Sequence, residues 1–157
     1  MPEKTCCIFG HRMVEETEAL KKDLLLTVER LIVDCGVDTF LFGSRSEFDS
    51  LCLRLVTELK EKHPHIKRVY VRAEYPIIGE AYEAQLLRRY DETYYPEKLL
   101  RAGRAVYVER NREMIRKSRY CIVYYDDEKA ASIKKSGTKR ALSYAEQQKK
   151  EILLFRS

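Results

Sequence analysis

The stretch Thr-Cys-Cys-Ile-Phe-Gly-His-Arg at residues 5–12 decides the fold of this chain. Its apolar half predicts a buried first strand, and Gly10 predicts a tight turn directly after that strand. A helical pattern follows over residues 15–34. In an open α/β sheet, ligands bind at the carboxyl end of the first strand, where the N–H groups of the next helix favour an anion. Gly10, His11 and Arg12 therefore predict a site for a phosphate or a nucleotide.

The rest of the chain alternates short apolar runs with amphipathic stretches. Further strands are predicted at 39–42, 66–71, 120–125 and 151–155, and further helices at 48–62, 80–89, 105–117 and 137–149. Such alternation predicts right-handed crossovers and a parallel sheet. We therefore expect an α/β fold: one domain over residues 1–157, with a mainly parallel five-stranded sheet and helices on both faces. Residues 74–103 give no clear strand signal, and residues 126–136 predict a polar loop.

The composition limits the class of protein. At 157 residues, 45% hydrophobic and 35% charged, the chain is long enough for one domain with a core. No apolar run approaches the roughly 20 residues that cross a bilayer, and no hydrophobic leader opens the sequence, so a cytoplasmic protein is expected. The net charge of +5 is spread among acidic residues, which argues against a nucleic-acid partner. Five cysteines without a CxxC pair predict neither disulfides nor structural zinc, and we expect no metal and no cofactor.

Two small-residue pairs extend the predicted site. Gly43-Ser44 ends the second strand and leaves room for a ribose or a phosphate. Gly137-Thr138 opens the last helix, where Gly allows close backbone approach and Thr138 offers a hydroxyl and an N-cap. An ordinary capped helix would carry the same pair of residues. Because the pair follows the fourth strand, the ligand-binding interpretation is favoured.

Charged side chains next to the second loop allow two interpretations each. Arg45 would either clamp a phosphate or point to solvent. Glu47 and Asp49 begin the following helix, where carboxylates stabilise the helix dipole. Alternatively, they would hold ribose hydroxyls or stabilise the cationic sugar that forms when an N-glycosidic bond breaks. These two residues are the catalytic candidates. His11 would act as an acid or base, or hydrogen-bond loop backbone.

The later part of the chain adds a buried amide and several rings. Asn111, with Met114, Ile115 and Ser118, is expected to face inward on its helix and to need a polar partner, either loop backbone or a ligand. The tyrosines of residues 75–95 would stack on a base, or belong to the core or to an oligomer contact.

Four segments in register resemble the YpsA-like branch of the SLOG superfamily, the Rossmann-like group named after the Smf/DprA and LOG proteins. They are residues 5–12, Thr-Phe-Leu-Phe-Gly-Ser at 39–44, Glu-Arg-Asn-Arg-Glu-Met-Ile at 109–115, and Ser-Gly-Thr-Lys-Arg-Ala at 136–141 with Tyr144-Ala145. The resemblance implies a compact domain that binds nucleotides or nucleotide-sugars at the carboxyl ends of its strands. Since single-domain relatives often pair, it also allows a homo-oligomer.

The resemblance leaves two functions open. One is a module that binds a nucleotide-type small molecule, such as ADP-ribose or a nucleoside monophosphate, as a ligand sensor. The other is an enzyme that cleaves or transfers at a nucleotide N-glycosidic bond, as a phosphoribohydrolase or a deoxyribosyltransferase does. The Pro-Gly-Gly-x-Gly-Thr loop of the phosphoribohydrolases is reduced here to Gly137-Thr138. This difference favours binding over turnover. An NAD-dependent dehydrogenase is not expected, because GxGxxG is absent after the first strand.

Overall fold

The computed structural model describes residues 2–126 and 137–156. Its strands are β1 (Thr5–Gly10), β2 (Thr39–Phe42), β3 (Lys67–Val71), β4 (Glu92–Tyr94), β5 (Tyr120–Tyr124) and β6 (Glu151–Phe155). Its α-helices are α1 (Glu18–Val33), α2 (Glu47–Lys62), α3 (Glu80–Leu86), α4 (Val106–Arg116) and α5 (Gly137–Gln147). Short 3-10 helices cover Pro2–Lys4, Glu97–Arg101 and Gly103–Ala105. The predicted polar loop lies outside the described residues except for Asp126.

The strands form one sheet in the order β4-β3-β2-β1-β5-β6. Every neighbouring pair is parallel. The chain leaves β1 towards β2 on one side and later returns to place β5 on the other side. The carboxyl ends of β1 and β5 therefore flank a topological switch point, where open α/β sheets bind their ligands.

Helices cover both faces of the sheet, as the alternating pattern predicts. On one face, α1 and α2 pack on alternate strand residues such as Ile8, Phe40 and Ile122. On the other face, α4 and α5 pack on residues such as Cys7, Leu41 and Val123. Both faces are buried at the centre of the sheet, which is why β1, β2 and β5 are apolar runs without polar alternation. The predicted α/β class is confirmed.

The sheet has six strands where the sequence predicts five. The missed strand is β4, which lies inside the tyrosine-rich segment and pairs with β3 alone. It is only three residues long and none of them is fully buried, so neither length nor periodicity marks it. Its position is fixed by Asp91, which accepts hydrogen bonds from the Arg68 backbone N–H at 2.8 Å and from its Nε at 3.0 Å.

The buried cysteines act as small hydrophobic residues in this sheet. Cys6, Cys7, Cys52 and Cys121 are buried, whereas Cys35 is exposed, and all five are free thiols. Cys7 of β1 faces Cys121 of β5 across the strand pair. Burial is the largest cause that raises the pKa of the Cys7 thiol.

Candidate functional site

A cavity of about 580 Å³ lies at the switch point, and we call it the central lobe. It opens where β1 and β2 end. All nine predicted ligand-binding residues line it: Gly10, His11, Arg12, Gly43, Ser44, Arg45, Asn111, Gly137 and Thr138. They come from four separate segments of the chain, which only the parallel sheet brings to one edge.

A second cavity of about 780 Å³ continues from the first, and we call it the aromatic lobe. Four tyrosine side chains line it: Tyr70, Tyr75, Tyr82 and Tyr107. The two lobes share Gly43, Ser44, Arg45 and Arg110. They are therefore two parts of one crevice, and the end of β2 and Arg110 of α4 lie between them.

Arg110 is the central residue of this crevice, and the sequence pattern did not mark it as buried. It is only 6% exposed. One guanidinium nitrogen donates to the Gly43 carbonyl, and Nε donates to Asn111 Oδ1 at 2.9 Å. A Cβ at Gly43 would lie 2.7 Å from Met114 Sδ and 2.8 Å from Arg110 Cδ, so only glycine admits this arginine. Gly43 thus makes room for a side chain of the protein.

The polar residue that α4 buries is not the one that the sequence predicts. Arg110 is buried in place of Asn111, which is half-buried and holds the arginine through its amide oxygen. Burial lowers the pKa of the Arg110 guanidinium, and nearby Tyr70, Asp49 and Glu74 oppose that shift. An arginine stays protonated under such shifts, so a cation lies between the two lobes.

Four arginines face the crevice without an ion pair to any carboxylate among the described residues. Arg12 lines the central lobe, Arg72 lines the aromatic lobe, and Arg45 and Arg110 line both. None of the four forms an ion pair with a carboxylate of residues 2–126 or 137–156. Arg72 and Arg110 are buried, whereas Arg12 and Arg45 are exposed, and Asp49 and Glu74 interact with Arg110 without forming an ion pair. Cations without a close counter-ion favour an anionic ligand.

The two catalytic candidates lie outside both lobes. Asp49 is buried beneath the second loop, where it accepts from the Ser44 N–H at 3.3 Å and from the Ser46 hydroxyl at 3.1 Å. Ser46 in turn accepts from the Asp49 N–H, so the pair caps α2 in the manner of a capping box. Glu47 is exposed, and its N–H donates to the Arg12 carbonyl at 2.8 Å. Both residues fix the loops that form the crevice.

Burial raises the pKa of Asp49 to about 6, against the hydrogen bonds from Ser44 and Ser46 that lower it. The folded state therefore binds a proton more tightly than the unfolded state does. The free energy of unfolding falls as the pH rises from about 4 to about 6, by about 3 kcal/mol for this one group. We expect Asp49→Asn to remove this dependence.

Urea unfolding at pH 4.5 and pH 7.5 measures the effect. From pH 4.5 to pH 7.5, the unfolding free energy of wild type should fall by about 2–3 kcal/mol relative to that of Asp49→Asn. The higher pH therefore favours the variant. The exposed Asp23 offers a matched control, since Asp23→Asn should keep a constant difference. A constant difference for Asp49→Asn would contradict the burial of a charged carboxylate.

His11 ties the first loop to the exit of β5. Its Nε2 accepts a hydrogen bond from the Asp126 N–H at 2.9 Å, so this nitrogen carries no proton. The ring packs edge-on against Tyr124 and tilted against Tyr125, with centroids 5.7 and 5.4 Å apart. Of the two roles expected for His11, the contact with loop backbone is present.

Gly137 and Thr138 open α5 at the rim of the central lobe. Because the helix begins at Gly137, Thr138 lies inside its first turn rather than at the N-cap. Thr138 is buried, whereas Lys139 and Arg140 are exposed. The start of this helix thus faces the same space as the ends of β1 and β2.

The aromatic lobe supplies residues that the sequence did not mark. Arg72 is buried and donates to the Tyr75 carbonyl, the Pro76 carbonyl and Thr93 Oγ1. Glu74 accepts from the Tyr107 hydroxyl. Arg72 follows β3 directly, and the sequence analysis did not single it out, because an arginine at the end of a strand is equally typical of a residue that faces solvent.

The described residues contain no group of three or more His, Cys, Asp or Glu side chains that would hold a metal ion. None of the described helices is long and apolar enough to cross a membrane.

Comparison with known proteins identifies the family of the chain. No curated protein matches the chain. A family model for YpsA, described as the YspA SLOG family, matches residues 3–157. That match includes every segment that lines the two lobes, together with the Rossmann-like arrangement of strands and helices. The chain therefore belongs to the YspA SLOG family.

Proposed function

We propose that this protein binds a nucleotide or a nucleotide-sugar, with a phosphate group in the central lobe. The observation that carries the proposal is a set of cations that form no ion pair with a carboxylate in the described part of the chain: Arg12, Arg45 and Arg110 line this lobe. Guanidinium groups bind phosphate with charge-assisted, often bidentate hydrogen bonds. The start of α5 at Gly137 adds backbone N–H groups that favour the same charge.

The shape of the crevice supports a ligand larger than a phosphate ion. The central lobe of about 580 Å³ continues into the aromatic lobe of about 780 Å³. Sites of this size hold organic ligands that are fixed by a few polar groups. A nucleoside monophosphate, or ADP-ribose with its second sugar, matches both the charge and the volume.

An enzyme that acts on the N-glycosidic bond is the second candidate, and one residue favours it. Glu74 is the one carboxylate among the described residues that line the two lobes. Glycosidic cleavage passes through a cationic sugar that a neighbouring carboxylate stabilises. If the protein turns over a nucleotide, we assign this role to Glu74 in place of Glu47 or Asp49, which lie outside the lobes.

Isothermal titration with AMP, ADP-ribose, ribose 5-phosphate and adenosine tests the proposal. We expect AMP to bind at least 10-fold more tightly than adenosine, because the phosphate meets the unpaired arginines. Equal affinity for AMP and adenosine, or no binding of any of the four compounds, would overturn it.

The same mixtures, incubated and separated by chromatography, distinguish the two functions. Binding without released adenine supports a ligand-binding module. Released adenine that disappears in Glu74→Gln supports the glycosidic enzyme.

A further inference from the structure

The aromatic lobe has the features of a site for a flat ring. Its four tyrosines come from β3, the loop after it, α3 and α4. Tyr75 is 59% exposed and Tyr107 is 49% exposed. The rings of Tyr75 and Tyr82 stand almost perpendicular, at 82°, with centroids 6.1 Å apart. Exposed aromatic surface inside a cavity favours a ligand that stacks.

The loop that carries Tyr75 is held in an unfavourable conformation. Tyr75 has φ +58°, a left-handed conformation that a tyrosine seldom adopts. The buried Arg72 fixes it by donating to the Tyr75 carbonyl at 3.2 Å and to the Pro76 carbonyl at 3.4 Å. A third nitrogen of Arg72 donates to Thr93 Oγ1 at 3.0 Å and so anchors the loop to β4. Backbone strain that the surrounding structure maintains is concentrated at functional sites.

Arg45 connects the aromatic surface to the cations of the central lobe. Its side chain lines both lobes, and Nη2 lies 3.4 Å from the Tyr82 hydroxyl. A ligand with its phosphate beside Arg45 and Arg110 therefore has its remaining atoms next to Tyr82.

We propose that the aromatic lobe binds the base of the same ligand, stacked on Tyr82 with the perpendicular ring of Tyr75 against its edge. This inference rests on the proposed function, since it takes the phosphate in the central lobe as given. Glu74 is the one carboxylate among the described residues that line this lobe, and it accepts hydrogen bonds only, whereas the arginines of the lobe donate them. The lobe therefore favours a base with N–H groups along its edge, as the amino-bearing purines have.

The test compares two ligands that share a phosphate and differ in the base. Isothermal titration gives the dissociation constants of AMP and ribose 5-phosphate for wild type, Tyr82→Leu and Tyr82→Phe. Stacking of a base on an aromatic side chain corresponds to a loss of about 5- to 150-fold when the ring is removed. We expect Tyr82→Leu to weaken AMP by at least 10-fold and to leave ribose 5-phosphate unchanged. Tyr82→Phe keeps the ring and should stay within about threefold of wild type for both ligands.

A second variant separates binding from folding. Tyr75→Gly removes the ring and accepts φ +58° without strain. We expect it to weaken AMP and to keep or raise the midpoint of thermal unfolding. Tyr95→Leu is the matched control, because Tyr95 lies after β4 and does not line the lobe.

The outcomes distinguish this inference from the proposed function. Unchanged AMP affinity in both Tyr82→Leu and Tyr75→Gly would overturn the stacking site and leave phosphate binding intact. An equal loss of AMP and ribose 5-phosphate in Tyr82→Leu would also overturn it, since that result describes damage to the phosphate lobe. Failure of wild type to bind either ligand would overturn the proposed function itself.

Discussion

Gly10→Ala should lower the free energy of unfolding by about 3 kcal/mol, within the range of overpacked cores. Gly10 ends β1, and a Cβ at this position would collide with the side chain of Phe48 in the first turn of α2. Phe48 is fully buried, and it packs against Tyr124 with centroids 5.3 Å apart, so it has little space to move. Urea denaturation measures the change.

Gly79→Ala is the control for that substitution. Gly79 precedes α3 with φ −77°, and nothing lies within 4 Å of the place that an alanine methyl group would take, so we expect a loss below about 1 kcal/mol. Equal stability of Gly10→Ala and Gly79→Ala would contradict the close contact between α2 and β1. The expected result also means that Gly10 shapes the crevice through packing rather than through a contact with ligand.

Arg110→Met should weaken AMP about 100-fold, which is about 2.7 kcal/mol of binding free energy. Hydrogen bonds to a charged group contribute about 1.5–3 kcal/mol, and Arg110 is the buried cation common to both lobes. Methionine keeps much of the volume of the arginine stem beside Gly43. The loss should therefore appear in the titration of both AMP and ribose 5-phosphate, with the fold retained.

Arg112→Met is the matched control on the same helix. Arg112 lies on the outer side, 3.3 Å from Glu109 and over the ring of Tyr144. Its removal should change the affinity for AMP by less than about twofold, since an exposed ion pair contributes little. Equal losses in Arg110→Met and Arg112→Met would mean that general charge, rather than the buried guanidinium, attracts the ligand.

The residues of the central lobe could be predicted from the sequence because the ends of strands are easy to recognise in it. Each apolar run that stops at a small or polar residue marks the end of a strand, and parallel strands collect those ends at one edge. Gly10 and Gly43 follow from this rule, and the structure brings them to one cavity with Gly137, which begins the last helix. The bounds of β2 and β6 also match the apolar runs, because both faces of a parallel sheet are covered.

The sequence was insufficient where a side chain depends on tertiary packing. Arg110 and Asn111 are adjacent, and a rotation of about 100° between them decides which one is buried. The sequence pattern favoured Asn111, since an arginine is seldom buried without a carboxylate. Arg110 is buried because its guanidinium donates a hydrogen bond to the Gly43 carbonyl, which is 67 residues away along the chain. Likewise, β4 forms only because β3 offers it an edge.

The arginines of the crevice have a consequence for the lifetime of the protein. Arg12, Arg45, Arg72 and Arg110 place like charges around one connected space, without an ion pair to any described carboxylate. The burial of Arg110 opposes folding because it takes a cation out of water, and a bound anion would offset part of that cost while adding its own binding energy. Chains that spend less time unfolded are degraded more slowly. If the proposed nucleotide binds, its concentration would therefore raise the stability of this protein and slow its degradation.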